Sequence, residues 1–441
     1  MAKPKLQLTA PQYLATSFLL VILLGTLLLS LPWASSTGKS NFLTALFTAT
    51  SATCVTGLAV VDTATYWSLF GKVVILLLVQ VGGLGIMSFA VFYALILGKK
   101  IQLRQRLMMQ QAVNKIDPGG VVKLFRNLLL FTFLSEALGA IILAVHWTGS
   151  LGWKKALWFG LFHAITAFNN GSFDLWGGNK SLTGFVGDPT VNLVIGALII
   201  IGGLGFVVVN EISNHKKGQM LSIHTRIVLY TTLALIVGGT LILLLSEYTH
   251  ALAGMPWMTK VLASFFQSVT SRTAGFNTLD LGTLLPSSQL MIIVLMFIGG
   301  SPGSTAGGIK TTTITLLLAA VYSMVRGRKD TEIMEHRIAF EDLVRALTVV
   351  AMYAFIVLLV TFLLMLTHNE SFMTVLFEVC SAIGTVGLSL GLTSKLTAFG
   401  QMLIILTMFL GRIGPLTLAF ALAYKGNRAD YRYPPGKVMI G

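Results

Sequence analysis

Three triplets, Val55-Thr56-Gly57, Thr273-Ala274-Gly275 and Thr385-Val386-Gly387, each end in a glycine and sit at matching places in longer segments. LFTATSATCVTGL ends at Leu58, LFHAITAFNNGSF at Phe173, SFFQSVTSRTAGF at Phe276 and LFEVCSAIGTVGL at Leu388, and the four align without a gap. Phe47, Phe162, Phe265 and Phe377 share one column, and Ser51, Thr166, Val269 and Ser381 share another. Ten residues beyond the Phe column stand Gly57, Ser172, Gly275 and Gly387. Glycine leaves no side chain there and opens backbone conformations closed to other residues. Carbonyl oxygens of such segments, gathered in a ring, replace the hydration shell of a potassium ion. The candidate ion-binding residues are therefore Cys54, Val55, Thr56, Gly57; Asn169, Asn170, Gly171, Ser172; Arg272, Thr273, Ala274, Gly275; and Gly384, Thr385, Val386, Gly387. A lone TVG carries little weight. Four copies in register carry much more.

A second mark follows each copy. Gly82-Gly83, Gly202-Gly203, Gly299-Gly300 and Gly411-Arg412 begin 25, 30, 24 and 24 residues beyond the aligned column. In the third copy the pair opens the run Gly299-Gly300-Ser301-Pro302-Gly303-Ser304-Thr305-Ala306-Gly307-Gly308-Ile309. Glycine costs about 1 kcal/mol and proline about 3 inside a helix, so this span must break. Broken helices at membrane depth line cavities. In the fourth copy Arg412 replaces the second glycine, and an ionisable residue at such depth is functional by default. A cation below a cation-binding ring repels permeant ions unless it is paired or moves, and carbonyls or hydroxyls of the 299–309 run are its expected partners. Lys310 is expected to face water, and Glu136 to bond one helix to another.

The elements that hold these residues follow from composition. Only 11% of the 441 residues are charged and 55% are apolar, whereas soluble chains carry about 25% charged residues. No charge occurs between Lys5 and Lys39, Lys72 and Lys99, Asp188 and Glu211, or Arg345 and Glu370. A spanning helix needs about 20 apolar residues, so each stretch has room for one. First spans are expected near 13–32, 124–147, 226–246 and 344–367. Second spans are expected near 69–98, 190–213, 287–325 and 398–424, of which only the third is read as broken. Between them, residues 40–61 are uncharged yet rich in threonine and serine, which suits a half-helix that enters and returns rather than a lipid-facing span.

The net charge of +15 reports topology, not nucleic acid. Basic residues cluster at the N-terminus, at 99–126, 216–226, 326–345 and 425–437, which together hold 21 of the 31 Lys and Arg. Basic loops stay cytoplasmic, so both termini are expected inside, the copies are parallel, and Asp62, Asp174, Asp188, Glu247, Asp280 and Glu370 face outward. Two cysteines in apolar segments promise no disulfide framework. The seven histidines show no metal-binding spacing, and no phosphate-binding glycine motif opens a helix after a strand. An enzyme and a covalent cofactor are not expected.

Taken with these motifs, the TSATCVTGLAVVDT, SRTAGFNTLD and SAIGTVGLSLGLT loops, the FLGRIGPLT stretch and the RYPPGKVMIG tail resemble the Ktr/Trk/HKT superfamily of potassium transporters, most of all KtrB-type membrane subunits. The resemblance covers nearly the whole chain. It implies an all-α integral membrane protein of four parallel span–pore-loop–span repeats around a pseudo-fourfold central pore, with eight transmembrane helices in the plasma membrane. The repeats would occupy 1–100, 101–218, 219–330 and 331–426, with a cytoplasmic tail at 427–441. It further implies potassium uptake, a homodimer, a cytoplasmic ring of nucleotide-binding regulatory subunits, and a gate made of residues 299–308 with Arg412. One position departs from the family. Ser172 stands where NAGF-type loops carry glycine; either it loosens discrimination against sodium, or a shifted register places Gly171 in the ring. An ion-coupled secondary transporter is the alternative, although such proteins often show inverted repeats.

Overall fold

The structure is a computed structural model that describes residues 9–85, 121–178, 180–215 and 220–422. The basic stretch up to residue 120, Lys3, Lys5, Lys216, Lys217 and the RYPPGKVMIG tail lie outside the described residues.

The chain runs as a succession of helices. α1 (Ala10–Leu29) is followed by α2 (Phe42–Thr53), a turn α3 (Thr63–Tyr66) and α4 (Leu69–Leu84). Next come α5 (Val121–Leu151), α6 (Trp153–Phe168), α7 (Pro189–Gly203) and α8 (Phe206–Ser213). α9 (Ile223–Glu247), α10 (Trp257–Thr270), α11 (Pro286–Phe297) and α12 (Thr311–Val325) form the third set. A two-residue antiparallel pair, β1 (Glu332–Ile333) and β2 (His336–Arg337), departs from the all-α expectation. Met334 and Glu335 turn it with φ of 48° and 66°, the double positive φ of a tight hairpin. α13 (Phe340–Met365), α14 (Phe372–Gly384), α15 (Ala398–Ile413) and α16 (Pro415–Leu422) complete the described chain.

Among the described residues α1, α5, α9 and α13 are long and apolar enough to cross a bilayer, and they fall where the first spans are expected. Their outer faces carry Leu20, Leu24 and Leu27, Leu134 and Val145, Leu233 and Leu245, Leu347 and Phe355, all more than half exposed. Apolar residues on the outside suit hydrocarbon, not water. The α2, α6, α10 and α14 helices have 12, 16, 14 and 13 residues. At 1.5 Å per residue they reach at most about 24 Å, less than the ~30 Å hydrocarbon core. Residues Thr48 to Thr53 of α2 are wholly buried, so its hydroxyls lie inside the protein.

The expected second spans need correction. Among the described residues none of them runs as one straight helix, and residues 86–98 of the first lie outside the described residues. α7 and α8 meet at 100°. α4 stops at Gly85, α7 gives way to α8 at Gly205, and α15 to α16 at Gly414, with φ of 79°, 93° and 90°. Each glycine stands three residues beyond the first of its marked pair, in GGLG, GGLG and GRIG. A left-handed residue cannot continue a right-handed helix, and the spacing was readable. Between α11 and α12 the break is longer, spanning Ile298 to Lys310.

Candidate functional site

Three of the four aligned segments leave their helices the same way; in the third, the Ala274 and Gly275 amides both return to the Thr270 carbonyl. In α2 the amides of Val55 and Thr56 return to the carbonyls of Ala52 and Ser51 at 3.1 and 2.8 Å. Asn170 and Gly171 return to Ala167 and Thr166, and Thr385 and Val386 to Ala382 and Ser381. This pair of bonds is the Schellman ending, whose pivot is ordinarily glycine in the left-handed region. Here the pivots are Val55, Asn170 and Thr385, with φ of 57°, 60° and 51°; Thr273 holds the same column at 76°. A non-glycine residue there costs of order 1–3 kcal/mol and persists only when its surroundings over-determine it. Two residues on, the aligned column is left-handed again: Gly57 83°, Ser172 44°, Gly275 76°, Gly387 97°.

These repeated turns bring the four columns to one place. Gly57, Ser172, Gly275 and Gly387 all line a single cavity of about 300 Å³. A methyl group on Gly57 would collide with Ser172 Oγ, one on Gly275 with the Val386 carbonyl, and one on Gly387 with the Thr56 carbonyl. Each column residue thus faces the carbonyl that precedes the column in a neighbouring segment. The shifted register is not adopted. Gly171 turns its Cα toward Val79, where a Cβ would lie 2.7 Å from Cγ1, while Ser172 occupies the column and its Oγ donates to the Thr56 carbonyl at 3.1 Å.

The first-named candidates of three segments, Cys54, Asn169 and Arg272, behave differently. Asn169 points away from the cavity: Nδ2 donates to Gln80 Oε1 at 3.0 Å and to Glu136 Oε1 at 2.9 Å. Gln80 Nε2 also donates to Glu136. Glu136 therefore ties α4, α5 and the second loop together, a wider role than the helix-to-helix bond expected of it. Arg272 Nη2 reaches the Gly299 carbonyl at 3.5 Å, and Cys54 is fully buried.

Under the columns lies the 298–310 segment. Ser301 and Thr305 amides bond to the Gly203 and Gly202 carbonyls at 3.0 and 3.2 Å, and the Phe206 amide bonds to the Gly303 carbonyl at 2.9 Å. Asn170 Nδ2 donates to Thr305 Oγ1 at 3.2 Å. A Cβ on Gly307 would collide with Thr385 Oγ1. The segment is therefore packed directly against two of the left-handed pivots. Arg412 meets it from the fourth unit: its guanidinium donates to the carbonyls of Thr305, Gly82 and Gly83. Lys310, expected to face water, is half-buried and donates to the Ala306 and Gly307 carbonyls at 2.8 and 3.4 Å.

Comparison with known proteins bears on what this arrangement is for. The model of the family described as "TrkH: Cation transport protein" matches residues 8–429. The chain belongs to the TrkH family of cation transport proteins. It is 45% identical to the Ktr system potassium uptake protein B of Bacillus subtilis, over 98% of this chain and 97% of that one. It is 38% identical to the potassium/sodium uptake protein NtpJ of Enterococcus hirae, over 99% and 98%. The crystal structure of the potassium transporter TrkH from Vibrio parahaemolyticus superposes with a TM-score of 0.71, at 19% identity, over 96% of this chain and 86% of that one; that likeness concerns the fold.

Within this TrkH-family chain, three kinds of residue escaped sequence reading. Gly82, Gly202 and Gly411 let the second helices lie against the ends of α2, α6 and α14, since a Cβ on each would strike the carbonyl of Thr53, Phe168 or Ile383. Their pairing was visible, their partners were not. Asp174 and Asp280 line the cavity, and Asp62 shares a smaller neighbouring one with Asp174, a grouping that distant loops make only on folding. Glu247, placed among the acids of the outer side, is buried and accepts the Leu285 and Ala251 amides at 2.9 and 3.3 Å. Glu378 in α14 is wholly buried.

Proposed function

We propose that this chain is the membrane subunit of a potassium uptake system, in which ions shed water at the ring of Gly57, Ser172, Gly275 and Gly387 and pass it as through a channel. The observation that carries the reading is the convergence of four aligned, left-handed columns on one cavity, in a chain whose relatives are named for potassium uptake. Backbone carbonyls so gathered can stand in for the hydration shell. The negative C-terminal ends of α2, α6 and α14 point at the same region and favour a cation. The molecule would then comprise four parallel span–pore-loop–span units about a pseudo-fourfold axis, with boundaries near residues 100, 218, 330 and 426. Counting each broken helix as one passage makes eight transmembrane passages. Residues 299–308 with Arg412 serve as the gate. A homodimer in the plasma membrane, with both termini cytoplasmic and a nucleotide-binding regulatory ring below, completes the proposal.

The direct test is rubidium uptake into proteoliposomes. Uptake that follows the rubidium gradient and voltage alone, without a sodium or proton gradient, is the expected result. A requirement for either gradient would favour an ion-coupled secondary transporter instead.

Two residues tune this pore. The Ser172 hydroxyl occupies one lone pair of the Thr56 carbonyl and adds a side chain to a column otherwise of glycine. Ser172→Gly is expected to raise the potassium-over-sodium permeability ratio about tenfold, equivalent to only about 1.4 kcal/mol of differential binding. An unchanged ratio, read from bi-ionic reversal potentials, would remove Ser172 from the ion's surroundings. The second residue sits outside the ring. Burial, helped by the Asp62 carboxylate, pushes the Asp174 carboxyl up to about 6. As outside pH falls through that value Asp174 takes a proton and the rim loses negative charge. Local cation concentration falls with it, so uptake at sub-saturating rubidium is expected to drop several-fold between pH 7 and 5. Asp174→Asn should start low and stay flat across the range.

A further inference from the structure

The fourth pore helix carries a carboxylate that ion passage as described does not use. Glu378 follows the Phe377 column by one residue, is 0% exposed, and points at the chain beyond Gly387. Ser389 Oγ donates to its Oε2 at 2.6 Å, and Thr393 Oγ1 donates to its Oε1. Ser389 Oγ in turn accepts the Gly391 amide at 3.0 Å. Closer to the ring, Ser381 Oγ accepts the Gly387 amide at 3.0 Å. One side chain thus straps the helix to positions two and six residues beyond the aligned column. Ser389, Thr393 and Gly387 all line the outer cavity.

The strap belongs to this segment. The equivalent residue is Thr48 in the first segment, and its hydroxyl has no hydrogen-bond partner among the described residues. In the second it is His163, whose Nε2 accepts only the Leu175 amide, at 3.5 Å. In the third it is the apolar Phe266. Hydroxyl-to-carboxylate bonds are short and about twice as strong as neutral ones. Removing the hydroxyls strands the buried Glu378 carboxylate without partners. The loop beyond Gly387 is therefore tied to its own pore helix through a buried carboxylate, a group that Thr48, His163 and Phe266 do not supply at the equivalent place.

We propose that Glu378 is a positioning residue for ion selectivity: through Ser389 and Thr393 it fixes the outward chain, and so holds the Val386 and Gly387 carbonyls at the radius that favours potassium over sodium. It touches no ion. Whether a carbonyl ring discriminates by cavity size or by the number and field of its dipoles, a loop free to relax would lose discrimination either way. The inference rests on the potassium-pore reading above, and wild-type protein in the same assay separates the two.

Glu378→Ala, Glu378→Gln and the double variant Ser389→Ala/Thr393→Val would be reconstituted beside wild type. Rubidium and sodium uptake would both be measured, normalised to protein in the vesicles. The alanine and double variants are expected to lose about tenfold in the rubidium-over-sodium ratio, with total monovalent flux within about threefold of wild type. Glu378→Gln, whose amide oxygen still accepts one hydroxyl, is expected to fall between. A purely structural role would lower protein yield or total flux and leave the ratio unchanged. Should Glu378→Ala fail to reach the membrane, the double variant decides, because it removes the strap with little change of volume. An unaltered ratio in the double variant overturns the proposal. Wild type that shows no preference for rubidium overturns the pore reading instead.

Discussion

Replacing Gly275 or Gly387 by alanine abolishes potassium uptake while the protein still reaches the membrane. Both glycines hold left-handed backbone, φ 76° and 97°, and both face a neighbouring segment's carbonyl, Val386 for the first and Thr56 for the second. A methyl group therefore meets two penalties. The backbone conformation costs about 1 kcal/mol more than for glycine, and the collision displaces a carbonyl that the proposed ring needs. Loss of one oxygen of a dehydrated ion's shell is not repaired nearby, because the cavity walls are already packed. Uptake is expected to fall about 100-fold or more, which needs only about 2.7 kcal/mol. The collapse should be confined to transport, since the column lies at a cavity wall and not in the apolar core. Growth rescue of an uptake-deficient strain at low potassium, with membrane protein followed by immunoblot, is the measurement. Uptake within about threefold of wild type in both variants would remove the column from the pathway.

Arg412→Ala should speed uptake and weaken its dependence on a cytoplasmic regulatory partner. The guanidinium clamps the carbonyls of Thr305, Gly82 and Gly83, joining the 298–310 segment, α4 and α15 at one point. Hydrogen bonds to a charged group contribute about 1.5–3 kcal/mol each. Their loss is concentrated on a segment whose Gly299, Gly300, Gly303, Gly307 and Gly308 permit other paths. Pro302 prevents its healing into helix. A minor open state of about 1–10% would leave room for a rise of about ten- to a hundredfold. Deleting Ser301 to Gly308 should act in the same direction. Stopped-flow flux in vesicles, with and without partner and nucleotide, separates the outcomes. Flux that stays low and fully partner-dependent in both variants would take the gate away from this segment.

The four long helices were readable to within a few residues because a span declares itself by composition alone, and α1, α5, α9 and α13 do so. The aligned columns were readable for a different reason: four segments align without a gap, so the column residues recur at one spacing. The pivots were harder. Val55, Asn170, Thr273 and Thr385 follow no single residue type, and three of the four are β-branched, which local preference places anywhere but in left-handed backbone. Schellman bonds lie behind Val55, Asn170 and Thr385, while the turn at Thr273 is closed by the Ala274 and Gly275 amides on the Thr270 carbonyl. The broken second helices were missed outside the third unit, although GGLG, GGLG and GRIG were in view, because apolar length outweighed one glycine in the reading.

Arg412 shows where the sequence stopped and the fold took over. Its type, depth and isolation among apolar residues identified a cation that needs partners, and a glycine-rich segment that needs something to hold it. That much follows from solvation: a charge away from water must be paired. Which oxygens pair it could not follow. Thr305 lies 107 residues away and Gly82 lies 330 away, and backbone carbonyls carry no signature that distinguishes one from another. The register at Ser172 has the same character. Both Gly171 and Ser172 satisfy local rules; the choice came from Val79 crowding one side and the Thr56 carbonyl accepting the hydroxyl on the other. Composition and recurrence thus determined the membrane class, the long helices and the four matching loops, because each is a property of neighbouring residues. The tertiary structure alone decided which oxygens face the cavity and which carboxylates stand behind it, because those depend on packing among segments about a hundred residues apart.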